Sequence, residues 1–103
     1  MGDSLIQFKG TIFERGYGQV AKVVMQDENL SKISKLLYAY ICTFGNGAFP
    51  SREKICSDLK IGKNSISSSL SELVKNGYIT IQQQRKENGH FYNNVYVIEL
   101  IKK

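Results

Sequence analysis

A chain of 103 residues, 42% hydrophobic and 22% charged, is long enough for one domain around one core. Its formal net charge of +5, with a pI near 9.3, fits a polyanionic partner. No apolar run nears the roughly 20 residues of a membrane span, and MGDSLIQFKG lacks the basic start and apolar stretch of a secretory leader, so a cytoplasmic protein with no membrane attachment is expected.

The chemistry of metals and cofactors is poorly served. Cys42 and Cys56 stand fourteen residues apart, with the single histidine, His90, far from both. That spacing is neither a zinc pattern nor a redox pair, so free, partly buried thiols are expected. GYGQVA at 16–21 matches G-x-G-x-x-A, but the pattern after it is helical and no βαβ unit surrounds it. There is no Walker motif, no HExxH, and no Ser-His-Asp set. No enzyme activity, cofactor or metal is expected.

Residues 1–20 mix apolar side chains with glycine and read as an arm, extended or holding a short strand. VAKVVMQD then suits a short helix with Val20, Val23 and Val24 on one side. In NLSKISKLLYAYICTF, Ser31 is the expected N-cap, and Ile33, Leu36, Leu37, Tyr40, Ile41 and Phe44 form an apolar stripe at helical spacing. Tyr38 and Tyr40 lie in or beside that stripe and read as core. Gly45 and Pro50 stop the helix. Ser51 caps the next, short helix, with Ile55, Cys56 and Leu59 inward. After LKIGK a third main helix runs from Lys63 to Asn76-Gly77, with Ile66, Leu70, Leu73 and Val74 on its apolar side. Beyond Gly77 the period falls to two: YITIQQQR alternates Ile79 and Ile81 with Thr80 and Gln82, and FYNNVYVIEL puts Tyr96, Ile98 and Leu100 on one face. Asn88-Gly89 between them is a strong hairpin signal, and Phe91 and Tyr92 read as cross-strand packing. The fold class expected is α+β: a short arm and helix, three main helices, then a β-hairpin. Two helices joined by three or four residues, the second amphipathic, make a helix-turn-helix.

This order resembles the winged helix-turn-helix, and four stretches resemble a narrower group, the N-terminal domains of replication initiator and replisome-organiser proteins of Gram-positive phages and plasmids. The stretches are GYGQVAKVVMQD (16–27), LSKISKLLYAYICTF (30–44), AFPSREKICSDLKIGKNSI (48–66) and LVKNGYITIQQQRKENGHFYNNVYVI (73–98). The likeness covers nearly everything from Gly16 onward. It implies a DNA-binding domain over 21–103 behind an arm of 1–20, action at a replication origin, and host replication proteins as further partners. Two features depart from the group: Lys60 stands where the turn often has glycine, and NSISSSLSE is less basic than the usual recognition helix. A lysine at 60 either takes a left-handed conformation, at about 1 kcal/mol or more, or changes the turn.

The third main helix raises its own question, because five of residues 63–73 are serines. Wound at helical pitch, Asn64, Ser68, Ser71 and Lys75 lie opposite the apolar side, with Ser65 and Ser67 on the flanks. A helix seated in a DNA major groove needs short, uncharged or basic side chains outward, since bulk holds it off the bases and carboxylates meet phosphates. Serine hydroxyls reach base edges or phosphate oxygens, and Asn64 suits an adenine edge. Lys63 and the helix N-terminus add positive charge. Ser51 and Arg52 begin the preceding helix, and Arg85, Lys86 and His90 surround the hairpin tip, where a wing meets backbone or minor groove. Residues 51–90 hold seven basic and four acidic side chains, so three of the five net charges lie there. The expected function is sequence-specific binding of double-stranded DNA, by a homodimer; Leu5, Ile6, Phe8, Ile12 and Phe13 of the arm are expected to be buried on the domain's own core or on a partner. A transcriptional repressor, a partition-type DNA adaptor, or a winged-helix protein-interaction module without DNA binding are the other readings.

Overall fold

The computed structural model describes residues 4–45, 47–85 and 91–100, with 83–85 and 91–94 described in backbone only. A 3-10 turn at Ile12–Arg15 sits within the exposed arm, and no strand forms among the described arm residues. Then come α1 (Lys22–Met25), α2 (Lys32–Cys42), α3 (Arg52–Leu59), α4 (Lys63–Lys75), β1 (Ile79–Arg85) and β2 (Phe91–Ile98). The two strands pair antiparallel, Ile79 opposite Ile98 and Ile81 opposite Tyr96, with a register shift between Gln83 and Arg85. This is the α+β winged helix-turn-helix architecture. The turn signal at Asn88-Gly89 lies outside the described residues.

The capping signals hold. Ser31 Oγ accepts the Ser34 N–H at 3.1 Å, and Ser51 Oγ accepts the Lys54 N–H at 3.1 Å. The core gathers Val24, Leu30, Leu37, Tyr38, Ile41, Ile55, Ile66, Leu70, Leu73, Tyr78 and Ile79. Tyr78 donates to Asp27 Oδ2 at 2.5 Å, which ties the hairpin's root to the loop after α1.

Four faces differ from the pattern read in sequence. On α2 the buried set is Ser34, Leu37, Tyr38, Ile41 and Cys42; Leu36 is 45% exposed, and Ile33, Tyr40 and Phe44 are only half-buried. The helix is turned so that Ser34, not a branched side chain, meets α4. On α1 only Val24 is buried; Val20 lies before the N-cap Ala21, outside the helix, and both it and Val23 are exposed. On α4 Ser69 is buried, whereas Val74 is 38% exposed. In the hairpin Ile79 is buried, but Ile81 and Leu100 are exposed; Leu100 lies beyond the end of β2.

The arm is docked at its end. A Cβ on Gly18 would fall 2.0 Å from the Cys42 carbonyl oxygen, so only glycine lets the chain pass this close to the end of α2.

Lys60 adopts φ 59° and ψ 45°, the left-handed conformation, and it ends α3 with its N–H on the Cys56 carbonyl at 2.9 Å. A Cβ in that region costs about 1–2 kcal/mol, less the entropy that glycine loses on folding. Lys60→Gly should therefore raise stability by roughly 0.5–1 kcal/mol, read as a higher urea midpoint at unchanged slope.

Candidate nucleic-acid interface

The turn Lys60–Gly62 sets α3 against α4. Ile61 packs onto the core, and Gly62, in extended conformation, is the N-cap of α4 with no side chain to accept its first N–H groups. Those donors stay available to an outside acceptor, next to Lys63. Asn64, Ser67, Ser68, Ser71 and Lys75 are exposed along the outer side of α4, and Ser65 is half-buried. Lys60 and Lys75 form no ion pair among the described residues.

Arg52 crosses from α3 and donates from Nη1 to Ser67 Oγ, which links the two helices of the motif on their exposed side. Ser51 Oγ serves as the cap acceptor for the Lys54 N–H. Lys63 is not free: its Nζ lies 3.6 Å from Glu53 Oε2, and both side chains are exposed. The Glu53 carboxyl lies below its ordinary range, first through its own backbone N–H and then through Lys63. Arg85 closes β1 opposite Phe91 in the backbone register. Its side chain, and Lys86 and His90 altogether, lie outside the described residues, as do the side chains of Phe91 and Tyr92.

The side of α4 facing α2 holds what the sequence reading missed. Ser34 Oγ donates to Glu72 Oε1 at 2.5 Å and lies 3.4 Å from the Ser69 carbonyl oxygen. The Ser31 N–H reaches the same Glu72 oxygen at 2.8 Å. Glu72, the sole acidic residue of α4, is thus drawn off the outer face and serves as an acceptor at the start of α2. The signal in sequence was the spacing of Ser65, Ser69 and Glu72, one ridge at i, i+4 and i+7.

A family model described as a helix-turn-helix domain matches residues 28–79, half of the chain, from the loop before α2 to the start of β1. The chain belongs to that family. No curated protein and no solved structure matches it. Membership in a helix-turn-helix family points to double-stranded DNA as the partner of this helix-turn-helix protein. Among the described residues no helix is long and apolar enough to cross a membrane.

The Lys63–Glu53 pair bears on affinity. If the outer face of α4 meets DNA, a carboxylate at its edge repels phosphate and occupies a cation that would otherwise meet it. Glu53→Gln should raise affinity for every duplex about two- to fivefold, the scale of one exposed ion pair, and steepen the salt dependence. Fluorescence anisotropy with specific and scrambled duplexes would check both.

Proposed function

We propose that this helix-turn-helix protein binds a specific DNA site by seating the outer face of α4 in the major groove, and that the site lies in the replication origin of a phage or plasmid. One observation carries the first part. The outward residues of α4 are Asn64, Ser67, Ser68, Ser71 and Lys75, and the helix's one carboxylate, Glu72, is engaged with Ser31 and Ser34 instead. That composition suits a groove and its phosphates. The replication role is supported by the sequence likeness to Gram-positive initiator domains and by nothing in the geometry. A repressor or partition adaptor would use the same face.

The reading includes Ser51, Ser65 and Lys63 as contacts at the edge of the face, and Arg85, Lys86 and His90 as wing contacts to the backbone. It also includes a homodimer. Leu5 and Ile6 are each 88% exposed and Phe8 82%, too much apolar surface for a short arm to leave in water. Sedimentation at tens of micromolar should give a dimer; a monomer there removes this element alone.

The deciding experiment is the salt dependence of duplex affinity. If Arg52, Lys63, Lys75, Arg85 and Lys86 each neutralise a phosphate, the slope of log K against log salt is about −4 to −5 for each protomer bound, and about twice that for a dimer on two half-sites. A flat dependence, or no binding to any duplex of the element that encodes the protein, would favour an interaction module that keeps the fold without the groove contact. Origin binding is tested separately, by footprinting over the encoding element.

A further inference from the structure

We infer that Ile33, from α2 and not from the recognition helix, reads the methyl group of a thymine beside the base that Asn64 reads. The inference rests on the proposal that α4 enters the major groove.

Ile33 falls on the stripe expected to be buried, yet it is only half-buried, because α2 is turned to bring Ser34 against α4. Its side chain instead lines a shallow groove of about 270 Å³ with Ser31, Asn64, Ser65, Ser68 and Ser69. Every other lining side chain in that groove is a hydroxyl or an amide. An isolated apolar residue at a surface is ordinary; this one adjoins two residues of the reading face.

Its position is also held from both sides. The Ser31 N–H is bonded to Glu72 at 2.8 Å, and Ser34 Oγ to the same carboxylate at 2.5 Å. The residue between them, one before Ser34, is therefore set relative to α4 by two anchors. A reading group needs that kind of support.

The chemistry of the groove supplies the match. Among base edges in the major groove, the thymine C5-methyl is the apolar group, and apolar side chains are its usual contacts. Asn64 suits the N6 and N7 edge of adenine. An adenine read there has a thymine methyl on its own pair, which serine and asparagine cannot desolvate with profit. Asn64 and Ile33 together make a reader of A·T pairs: one takes the amino and ring nitrogens, the other takes the methyl.

The test replaces thymine by deoxyuridine, which deletes only the methyl. The preferred duplex is first selected from a randomised pool with the wild-type protein. Each thymine in it is then changed singly to deoxyuridine, and affinities are measured for the wild type, Ile33→Ala and Ile33→Val, with thermal melts to confirm folding. For the wild type, one thymine should cost about fourfold when demethylated, the value of one buried methyl. Ile33→Ala should bind thymine and deoxyuridine at that place equally, and Ile33→Val should keep part of the difference. Asn64→Ala should lose the adenine preference while keeping the methyl effect. If Ile33→Ala does not fold, Ile33→Val alone decides, since an undiminished fourfold effect in it would count against the contact. If no thymine matters to the wild type, or if Ile33→Ala keeps the full methyl effect, the inference is overturned while DNA binding stands. Failure of the wild type to bind any duplex overturns the underlying reading instead.

Discussion

Ser69→Leu will unfold this domain more readily than any substitution at the exposed serines of α4. Ser69 is 5% exposed and its carbonyl oxygen lies 3.4 Å from Ser34 Oγ, where Ser34 has no exposed surface at all. Two serines at one crossing let α2 and α4 approach closely. A leucine there must push the two helices apart or turn out toward the shallow groove beside Ile33, and the strain of overpacking costs about 1–3 kcal/mol. For a domain of this size that lowers the melting temperature by roughly 4–8 °C for each kcal/mol. Ser68→Ala and Ser71→Ala should do the reverse, each gaining a few tenths of a kcal/mol because alanine is the better helix former. Sites that gain stability while losing DNA affinity are serving the ligand. The crossing also has an acid signature. Ser34 first, then the Ser31 N–H, holds the Glu72 carboxyl below its ordinary range. Its contribution is therefore present at neutral pH and is lost as the pH falls through that lowered value. Glu72→Gln should flatten the acid limb of stability. Thermal melts of the serine series and acid titrations of Glu72→Gln measure both; a Ser69→Leu protein as stable as the wild type would refute the close crossing.

The same crossing explains how much could be read beforehand. Caps, turn and helix limits were legible because they depend on neighbours in sequence: Ser31 and Ser51 accept the N–H three residues on, and Gly77 takes a positive φ just past α4. Lys60 was legible as an alternative, and the left-handed branch of it holds. Which side of α2 faces α4 was not legible. An apolar stripe assigns burial by hydropathy alone, and it placed Leu36 and Ile33 inside. The real contact is between small polar residues, Ser34 and Ser69, and it is satisfied by Glu72, forty-one residues from its partner Ser31. Long-range polar pairing leaves no periodic trace. The candidate site was half legible for the same reason. Short outward side chains on α4 follow from helical spacing, whereas the pairing of Lys63 with Glu53 and the bridge from Arg52 to Ser67 need the packed turn. Family membership adds the motif but not its target, because the match ends at residue 79 and says nothing of the wing.

Removing Arg52 and Lys75 together should cost more total affinity than removing any serine. Asn64 and Lys75 are eleven residues apart on α4, about 16 Å of helix, and the major groove is about 12 Å wide. With Asn64 among the bases, Lys75 reaches the phosphate rim. Arg52 stands on α3, bonded to Ser67 on the outer side, so with α4 seated in that way it would meet the backbone from the other helix of the motif. A hydrogen bond to a charged group is worth about 1.5–3 kcal/mol, so the double alanine variant should lose at least about a hundredfold for each protomer bound. It should lose it on specific and scrambled duplexes alike, and the salt slope should fall by about two for each protomer. Ser68→Ala carries no charge and makes at most one neutral contact. It should lose no more than about fivefold, on the preferred site only, with the salt slope unchanged. Titrations of both variants at two salt concentrations separate positioning from reading. If Ser68→Ala abolished binding to every sequence while the Arg52 and Lys75 variant bound normally, the phosphate grip would lie elsewhere on the domain, and the outer face of α4 would not be oriented as argued.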